Sequence, residues 1–267
     1  MKISFIGAGN MASAIIKSVI ASGKLKAEDL YVYDKFSEKC NEFIKLGVNK
    51  CETLTQACNC AECILIAVKP QDYEALLIDV KINTQNIDSK IIITIAAAIS
   101  CDYICSTLEI ELPVIRVMPN TPILLGVGAT AISRNKYVND KVYSKICGIF
   151  ACCGNVVSLD ESLMNNVISV NSSSPVYLYM LAKAMIESGI NQGISEKNAT
   201  ELVYQTLKGS CEMLIKSGMS PDRLIDAVAS PGGTTLSAIS SLENSGFNKI
   251  INDAMQACTN RANELAR

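Results

Sequence analysis

Residues 2–23 read "KISFIGAGNMASAIIKSVIASG". The first part is a short β-rich run ending at Gly7. The second carries Met11, Ile15 and Val19 at helical spacing and stops at Gly23. Between them, "GAGNMA" (7–12) is a glycine turn leading from strand to helix. Glycines in that context permit a tight turn and close approach of a pyrophosphate, and the first N–H groups of the next helix lack intrahelical partners. Ala12 takes the third glycine position of the G-x-G-x-x-G spacing, a tolerated change. The stretch predicts a dinucleotide-binding start, with Gly7, Ala8, Gly9, Asn10 and Met11 on the phosphate side.

The same alternation continues outward. "LYVYD" (30–34), "CILIAVKP" (63–70), "IIITIAAAI" (91–99) and "VIRVMPNTP" (114–122) read as further strands, separated by helical patterns. The central runs are continuously apolar, as parallel strands covered on both faces must be. "GATAIS" (128–133) and "NVVSL" (155–159) could extend the sheet at one edge. The fold class is therefore α/β: an N-terminal Rossmann-type doubly wound, mostly parallel sheet over residues 1–160. Residues 161–267 carry no strand signal and form an all-α domain. Within it, "PVYLYMLAKAMIESGI" (175–190) is apolar around most of its circumference, so it must be buried on nearly all sides. A helical region of about 105 residues is small for enclosing such a helix alone, which predicts burial against a second subunit in a homodimer.

Composition limits the chemistry. The chain has 267 residues, 49% hydrophobic, with net charge −2. Its lysines are scattered, with no basic stripe for nucleic acid. The longest apolar run, residues 91–99, is too short to span a bilayer, and the opening lacks a signal-peptide pattern, so a cytoplasmic protein with no membrane partner is expected. There is no histidine, which excludes a Ser-His-Asp triad, a Cys-His pair and His-ligated zinc. The 12 cysteines fit free thiols in a reducing compartment. Cys51, Cys58, Cys60 and Cys63 do not follow a metal-ligand spacing, and no metal is expected. The adjacent Cys152 and Cys153 are read as structural too.

Asp34 closes the second strand, where an acidic side chain bonds the ribose hydroxyls of NAD and repels a 2′-phosphate. Lys35 and Ser37 follow directly and could offset that repulsion. The cofactor expected is NADH or NADPH, with Asp34 tilting the balance to NADH.

"FIGAGNM" (5–11), "AVKPQ" (67–71), "RVMPNTP" (116–122) and "SPGGTT" (230–235), in this order and spacing, resemble the Δ1-pyrroline-5-carboxylate reductase family across essentially the whole chain. The resemblance implies a Rossmann domain followed by a helical domain that interlocks with a partner in a dimer, often assembled into decamers. It implies hydride transfer from NAD(P)H to the C=N carbon of a cyclic imine carboxylate, giving L-proline in the last step of proline biosynthesis. A protonated imine is already electrophilic, which makes the absence of histidine intelligible. Ala67, Val68, Lys69 and Pro70 would line the nicotinamide side of the cofactor path. A glycine-rich turn before a helix is an anion nest, and the resemblance places the substrate carboxylate there. Gly233, Thr234 and Thr235 would bind it, with the Thr235 hydroxyl near the ring nitrogen as the catalytic candidate. Glu161 matches an acidic residue near the substrate site, reachable from the dimer partner; Arg116 would fix the "MPNTP" loop.

The chain departs from the family at "NSSSPVY" (171–177), where Asn171, Ser172 and Ser174 replace a serine and two glycines. Ala98 stands where glycine is usual, Met219 where glutamate is common, and Ala227 at a polar position. Two other functions compete. A β-hydroxyacid dehydrogenase-like reductase needs a lysine with an asparagine four residues on, but Lys183 is followed by Glu187. A non-catalytic dinucleotide-binding paralogue is motivated by the altered serine segment.

Overall fold

The computed structural model describes residues 1–267. Eight strands form one sheet: β1 (Ile3–Ile6), β2 (Leu30–Tyr33), β3 (Asn49–Lys50), β4 (Cys63–Ile66), β5 (Ile91–Thr94), β6 (Val114–Met118), β7 (Gly128–Arg134) and β8 (Gly154–Ser158). Their order is β3-β2-β1-β4-β5-β6-β7-β8. The strands from β3 through β6 run parallel, β7 returns antiparallel to β6, and β8 follows β7 in parallel. The expected edge extension by residues 128–133 and 155–159 is therefore present. The strand order reverses between β1 and β4, so the ends of these two strands form the switch point at which open α/β sheets bind ligands.

Alternating side chains divide the sheet's two faces. Ile3, Phe5, Cys63, Leu65, Ile93 and Val117 pack on one side with Ile15, Ile16 and Val19 of α1 (Asn10–Ala21). Ile6, Ile64, Ile66, Ile92 and Val114 face the other. There they meet Leu77 and Val80 of α4 (Tyr73–Asn83) and Ile104 and Leu108 of α5 (Cys101–Leu108). Each such aliphatic side chain contributes about 1.5–3 kcal/mol on full burial. Tyr73 pins α4 to the sheet: its hydroxyl lies 3.0 Å from Ile66 O and 2.7 Å from Thr94 Oγ1. The remaining helices on this scaffold are α2 (Asn41–Ile44), α3 (Leu54–Asn59) and α6 (Asp140–Phe150).

The chain divides into two units: Met1–Ser173 with Cys258–Arg267, and Ser174–Ala257. Residues 161–173 and 258–267 thus pack with the sheet unit. Apolar packing and polar ties explain it. Met164, Ile168 and Ala262 close a small core with Met118 and Ala131. Asn165 Nδ2 donates to Asn263 Oδ1 at 3.1 Å, and Ser100 N to Arg267 O at 2.9 Å.

The second unit holds α7 (Pro175–Asn191), α8 (Glu196–Lys216), α9 (Pro221–Val228), α10 (Thr234–Asn244) and most of α11 (Phe247–Glu264). It is helical throughout, as expected. Gly189 lets α7 approach α8: a Cβ there would lie 3.3 Å from Ala199 Cβ. Yet Ala182 is the one buried residue of α7. Val176, Leu178, Tyr179 and Met180 are exposed, Met180 by 65%. An apolar surface of that kind needs a cover, in line with the expected second subunit. Met180→Asp places a charge on this face and is expected to weaken self-association at least about tenfold. Sedimentation velocity reads the change; a wild-type chain that runs as a monomer at micromolar concentration would contradict the covered face.

Candidate functional site

The glycine turn is built as its sequence requires. Gly7 has φ +107°, and a Cβ there would sit 2.7 Å from Ala67 O and 3.3 Å from Val68 Cγ1. Only glycine allows the two segments to lie this close. Gly7 N donates to Tyr33 O at 2.8 Å, and Ala67 N to Ile6 O at 2.8 Å. The structure therefore brings Gly7 together with Ala67 and Val68 at the switch point. Gly9 is the N-cap of α1 and offers no side-chain cap. Space beyond Gly9 is open: nothing lies within 4 Å of a Cβ built there. Gly9 and Asn10 are exposed, Met11 half-buried, and Ala12 fully buried against the core. The start of α1 thus offers uncapped N–H groups and the positive end of the helix dipole to an anion. The residues present fit a dinucleotide diphosphate.

Asp34 carries a second duty that its sequence position did not reveal. Its Oδ2 accepts from Ala8 N at 2.8 Å and its Oδ1 from Phe36 N at 2.9 Å. It braces the glycine turn from the neighbouring strand. Lys39 Nζ lies 4.0 Å from Asp34 Oδ1. Lys35 and Lys39 both sit over the Phe36 ring, at 5.4 and 4.7 Å from its centroid. Two ammonium groups therefore flank the end of β2. On the other side of the switch point, exposed Lys69 is extended and precedes the turn opened by Pro70.

Glu161 and Arg116 hold each other's surroundings. Glu161 Oε1 accepts from Cys101 N at 2.6 Å, capping the start of α5, and lies 4.0 Å from Arg116 Nη1. Arg116 Nη2 donates to Asn165 Oδ1 at 2.6 Å. Burial pulls the Arg116 guanidinium below its ordinary value, with Glu161 opposing. Arg116 therefore secures residues 161–165; the "MPNTP" loop is held otherwise.

That loop is tied by the altered segment. Asn171 Nδ2 donates to Met118 O at 2.8 Å and Ala129 O at 3.1 Å. Asn120 Nδ2 donates to Asn171 O at 3.1 Å, and Asn120 Oδ1 accepts from Ala129 N at 2.9 Å. Ser172 Oγ donates toward Pro119 O at 3.3 Å or Asn171 Oδ1 at 3.0 Å. Asn171 and Ser172 lie in a π-helical turn, Ile168–Ser172. The side chains that replace family residues are thus employed in a buried polar knot. Asn120 and Asn171 were not among the site residues expected from sequence; two asparagines near proline are its only trace there. Ala98 keeps φ +63° despite its Cβ, a conformation that favours the glycine usual at that position.

In the helical unit, "SPGGTT" also ends in a glycine-capped helix. Gly232 has φ +70°. Gly233 caps α10 without a side chain, at φ −81° and ψ 165°. Gly233 N donates to Ser230 O at 3.0 Å, and a Cβ on Gly233 would strike Ser230 Oγ at 2.6 Å. Thr234 and Thr235 are the first two residues of α10, exposed and half-buried respectively. Their N–H groups lie in the first turn of that helix, which has no side-chain cap. Gly233, Thr234 and Thr235 thus stand together, while Glu161 belongs to the sheet unit.

Comparison with known proteins identifies two matching family models. Residues 161–265 match one described as pyrroline-5-carboxylate reductase dimerisation, and residues 2–98 one described as NADP oxidoreductase, coenzyme F420-dependent. The pyrroline-5-carboxylate reductase of Escherichia coli is 33% identical over 270 residues, covering 100% of this chain and 98% of that protein. The Mycobacterium tuberculosis enzyme of the same name is 29% identical over 285 residues, covering 99% and 96%. Among solved structures, a pyrroline-5-carboxylate reductase from Coxiella burnetii superposes with TM-score 0.92 at 28% identity, covering 100% of this chain and 98% of its own. The Plasmodium falciparum pyrroline carboxylate reductase with NADP bound gives 0.90 at 28% identity, with the same coverage.

Gly7→Ala is expected to cost about 1–3 kcal/mol, since it adds a Cβ at positive φ against a backbone carbonyl. A lower thermal midpoint and weaker NAD(P)H binding are the readouts. If both stay unchanged, the close contact with Ala67 does not constrain the turn.

Proposed function

We infer the function from one premise: the chain belongs to the pyrroline-5-carboxylate reductase family. It is an NAD(P)H-dependent oxidoreductase that reduces L-1-pyrroline-5-carboxylate to L-proline by hydride transfer to C=N, the last step of proline biosynthesis. The observation that carries this is the full-length similarity, 33% identity across 100% of the chain, spanning the nucleotide half and the helical half alike.

The roles of individual residues are our proposal. The start of α1, at Gly9, Asn10 and Met11, holds the diphosphate, with Gly7 and Ala8 shaping the turn. Ala67, Val68, Lys69 and Pro70 line the path toward the nicotinamide. When bound, the reduced nicotinamide supplies the hydride. The N–H groups at Gly233, Thr234 and Thr235 hold the substrate carboxylate at the positive end of α10. Thr235 Oγ1 bonds the ring nitrogen and orients the imine. No imidazole is needed, because orienting a protonated imine is the main task. Glu161 we assign to holding α5 beside Arg116 rather than to touching substrate, since its Oε1 is already engaged.

Nucleotide preference turns on opposing charges. The Asp34 carboxylate favours ribose hydroxyls and NADH; Lys35, Ser37 and Lys39 would favour a 2′-phosphate. Because only 11% of the Asp34 side chain is exposed, against 49% for Lys39, its carboxylate is the fixed element, and we place NADH first. The helical unit is the oligomerisation region. We propose a dimer closed over the exposed face of α7, with decamers as a higher assembly, and a cytoplasmic location.

The assay is NADH or NADPH oxidation by the purified chain with pyrroline-5-carboxylate; no oxidation with either nucleotide removes the assignment, and binding without turnover would favour a non-catalytic paralogue. Thr235→Val is expected to lower kcat about 100-fold or more with nucleotide KM little changed. Unchanged turnover would sink the hydroxyl's role. Asp34→Ser removes both the ribose acceptor and the brace on Ala8, so kcat/KM should fall with both nucleotides, about tenfold further for NADH. An equal fall would leave Asp34 a brace alone.

A further inference from the structure

No group of three or more His, Cys, Asp or Glu side chains is arranged to hold a metal ion. Two of the clustered thiols nevertheless meet. Cys51 directly follows β3, where its N–H donates to Val32 O at 2.8 Å. Cys60 directly follows α3, its thiol donating to Ala57 O at 3.4 Å. Their Sγ atoms are 3.9 Å apart. Cys58 and Cys63 are committed elsewhere: both are fully buried, in cores on opposite faces of the sheet.

The two thiols are also unequal. Cys51 is buried, whereas Cys60 is partly open to solvent. The Cys51 thiol beside it holds Cys60 below the ordinary thiol range, against the opposing pull of burial; the Ser4 hydroxyl and Lys90 add to the lowering. Lys90 Nζ is fixed in that corner by Ala61 O at 2.6 Å. Cys51 is pushed up, first by Cys60 and then by burial. A reachable, more acidic thiol in contact with a buried, less acidic one is the arrangement of an attacking and a resolving thiol.

We propose that Cys51 and Cys60 form a reversible intramolecular disulfide, with a low-molecular-weight disulfide such as glutathione disulfide as the oxidant. Cys60 thiolate attacks one sulfur of glutathione disulfide; that S–S bond breaks and one glutathione leaves as thiolate, taking up a proton. Cys51, deprotonated, then attacks Cys60 Sγ in the mixed disulfide, and the second glutathione leaves. Two thiols are oxidised by two electrons and one glutathione disulfide is reduced to two glutathiones. On bond formation the sulfurs close from 3.9 Å to about 2.04 Å. The bond encloses α3 and ties it to the two-residue strand β3 at the sheet's edge.

The full chain, reduced and then incubated with glutathione disulfide, is quenched with N-ethylmaleimide, digested and mapped by fragmentation mass spectrometry. The expected product has lost two hydrogens between Cys51 and Cys60, carries no glutathione there, and is reversed by dithiothreitol. Cys51→Ser should leave glutathione on Cys60, and Cys58→Ser should keep the bond. A wild-type map showing Cys58–Cys60 pairing, persistent glutathione on Cys60, or reduced Cys51 and Cys60 beside modified Cys211 would overturn the proposal. The wild-type map decides the matter even if a variant fails to fold.

Discussion

A helix that begins on glycine leaves its first N–H groups without a side-chain partner, and α1 and α10 both begin this way with extended backbone at the glycine. Five other helices are capped by a side chain: Thr53, Ser100, Asn139, Ser195 and Ser220 each accept from a backbone N–H three residues on. At α1 and α10 glycine stands instead, with nearly the same backbone, φ −80° at Gly9 and −81° at Gly233. A side chain at either cap would satisfy the donors and fill the approach. Both helix starts therefore keep their donors and dipole for an anion from outside the chain. The roles proposed for these ends, holding the cofactor diphosphate and the substrate carboxylate, rest on those donors.

The sheet unit supplies rigidity around the first of these ends. Asp34 reaches from β2 to the Ala8 N–H, and Ala67 closes on Gly7 from β4. Below the "MPNTP" loop, Asn120 and Asn171 exchange bonds with backbone from three separate segments. Of the serines that replace glycines at 172 and 174, Ser172 takes part in this knot. Extra Cβ atoms there would crowd a tight backbone, but Ser172 joins its surroundings by hydrogen bonds. The departure from the family thus has a structural use, which weakens it as a sign of lost activity.

Most of the fold was legible in the sequence because buried parallel strands must be apolar on both faces. The runs at 3–6, 63–66 and 91–94 read ISFI, CILI and IIIT, each three-quarters Ile, Leu or Phe. Strand β3 was not legible: it is two residues long and polar, and exists only because Tyr31 and Val32 offer a free edge to Asn49 and Lys50. Which residues pack with the sheet was not legible, because residues 161–173 and 258–267 are held by partners distant in sequence. The first glycine turn could be named from its strand-turn-helix context, whereas the proposed parts of "AVKP" and "SPGGTT" came only from the family resemblance. The work of Arg116 and Glu161 could not, since each is decided by what lies within 4 Å.

The sequence by itself determined the α/β class, the strand-turn-helix at its start, the helical remainder and the need for a partner to cover α7. These follow from local rules: periodicity, glycine at the turn, and an apolar helix too large for its region. Only the tertiary structure decided that Asp34 braces Ala8, that Glu161 caps α5, that Asn171 ties the "MPNTP" loop, and that Cys51 meets Cys60. Hydrogen bonds and sulfur contacts act over a few ångströms, and which side chains come that close is set by the register of strands and helices far apart in the chain.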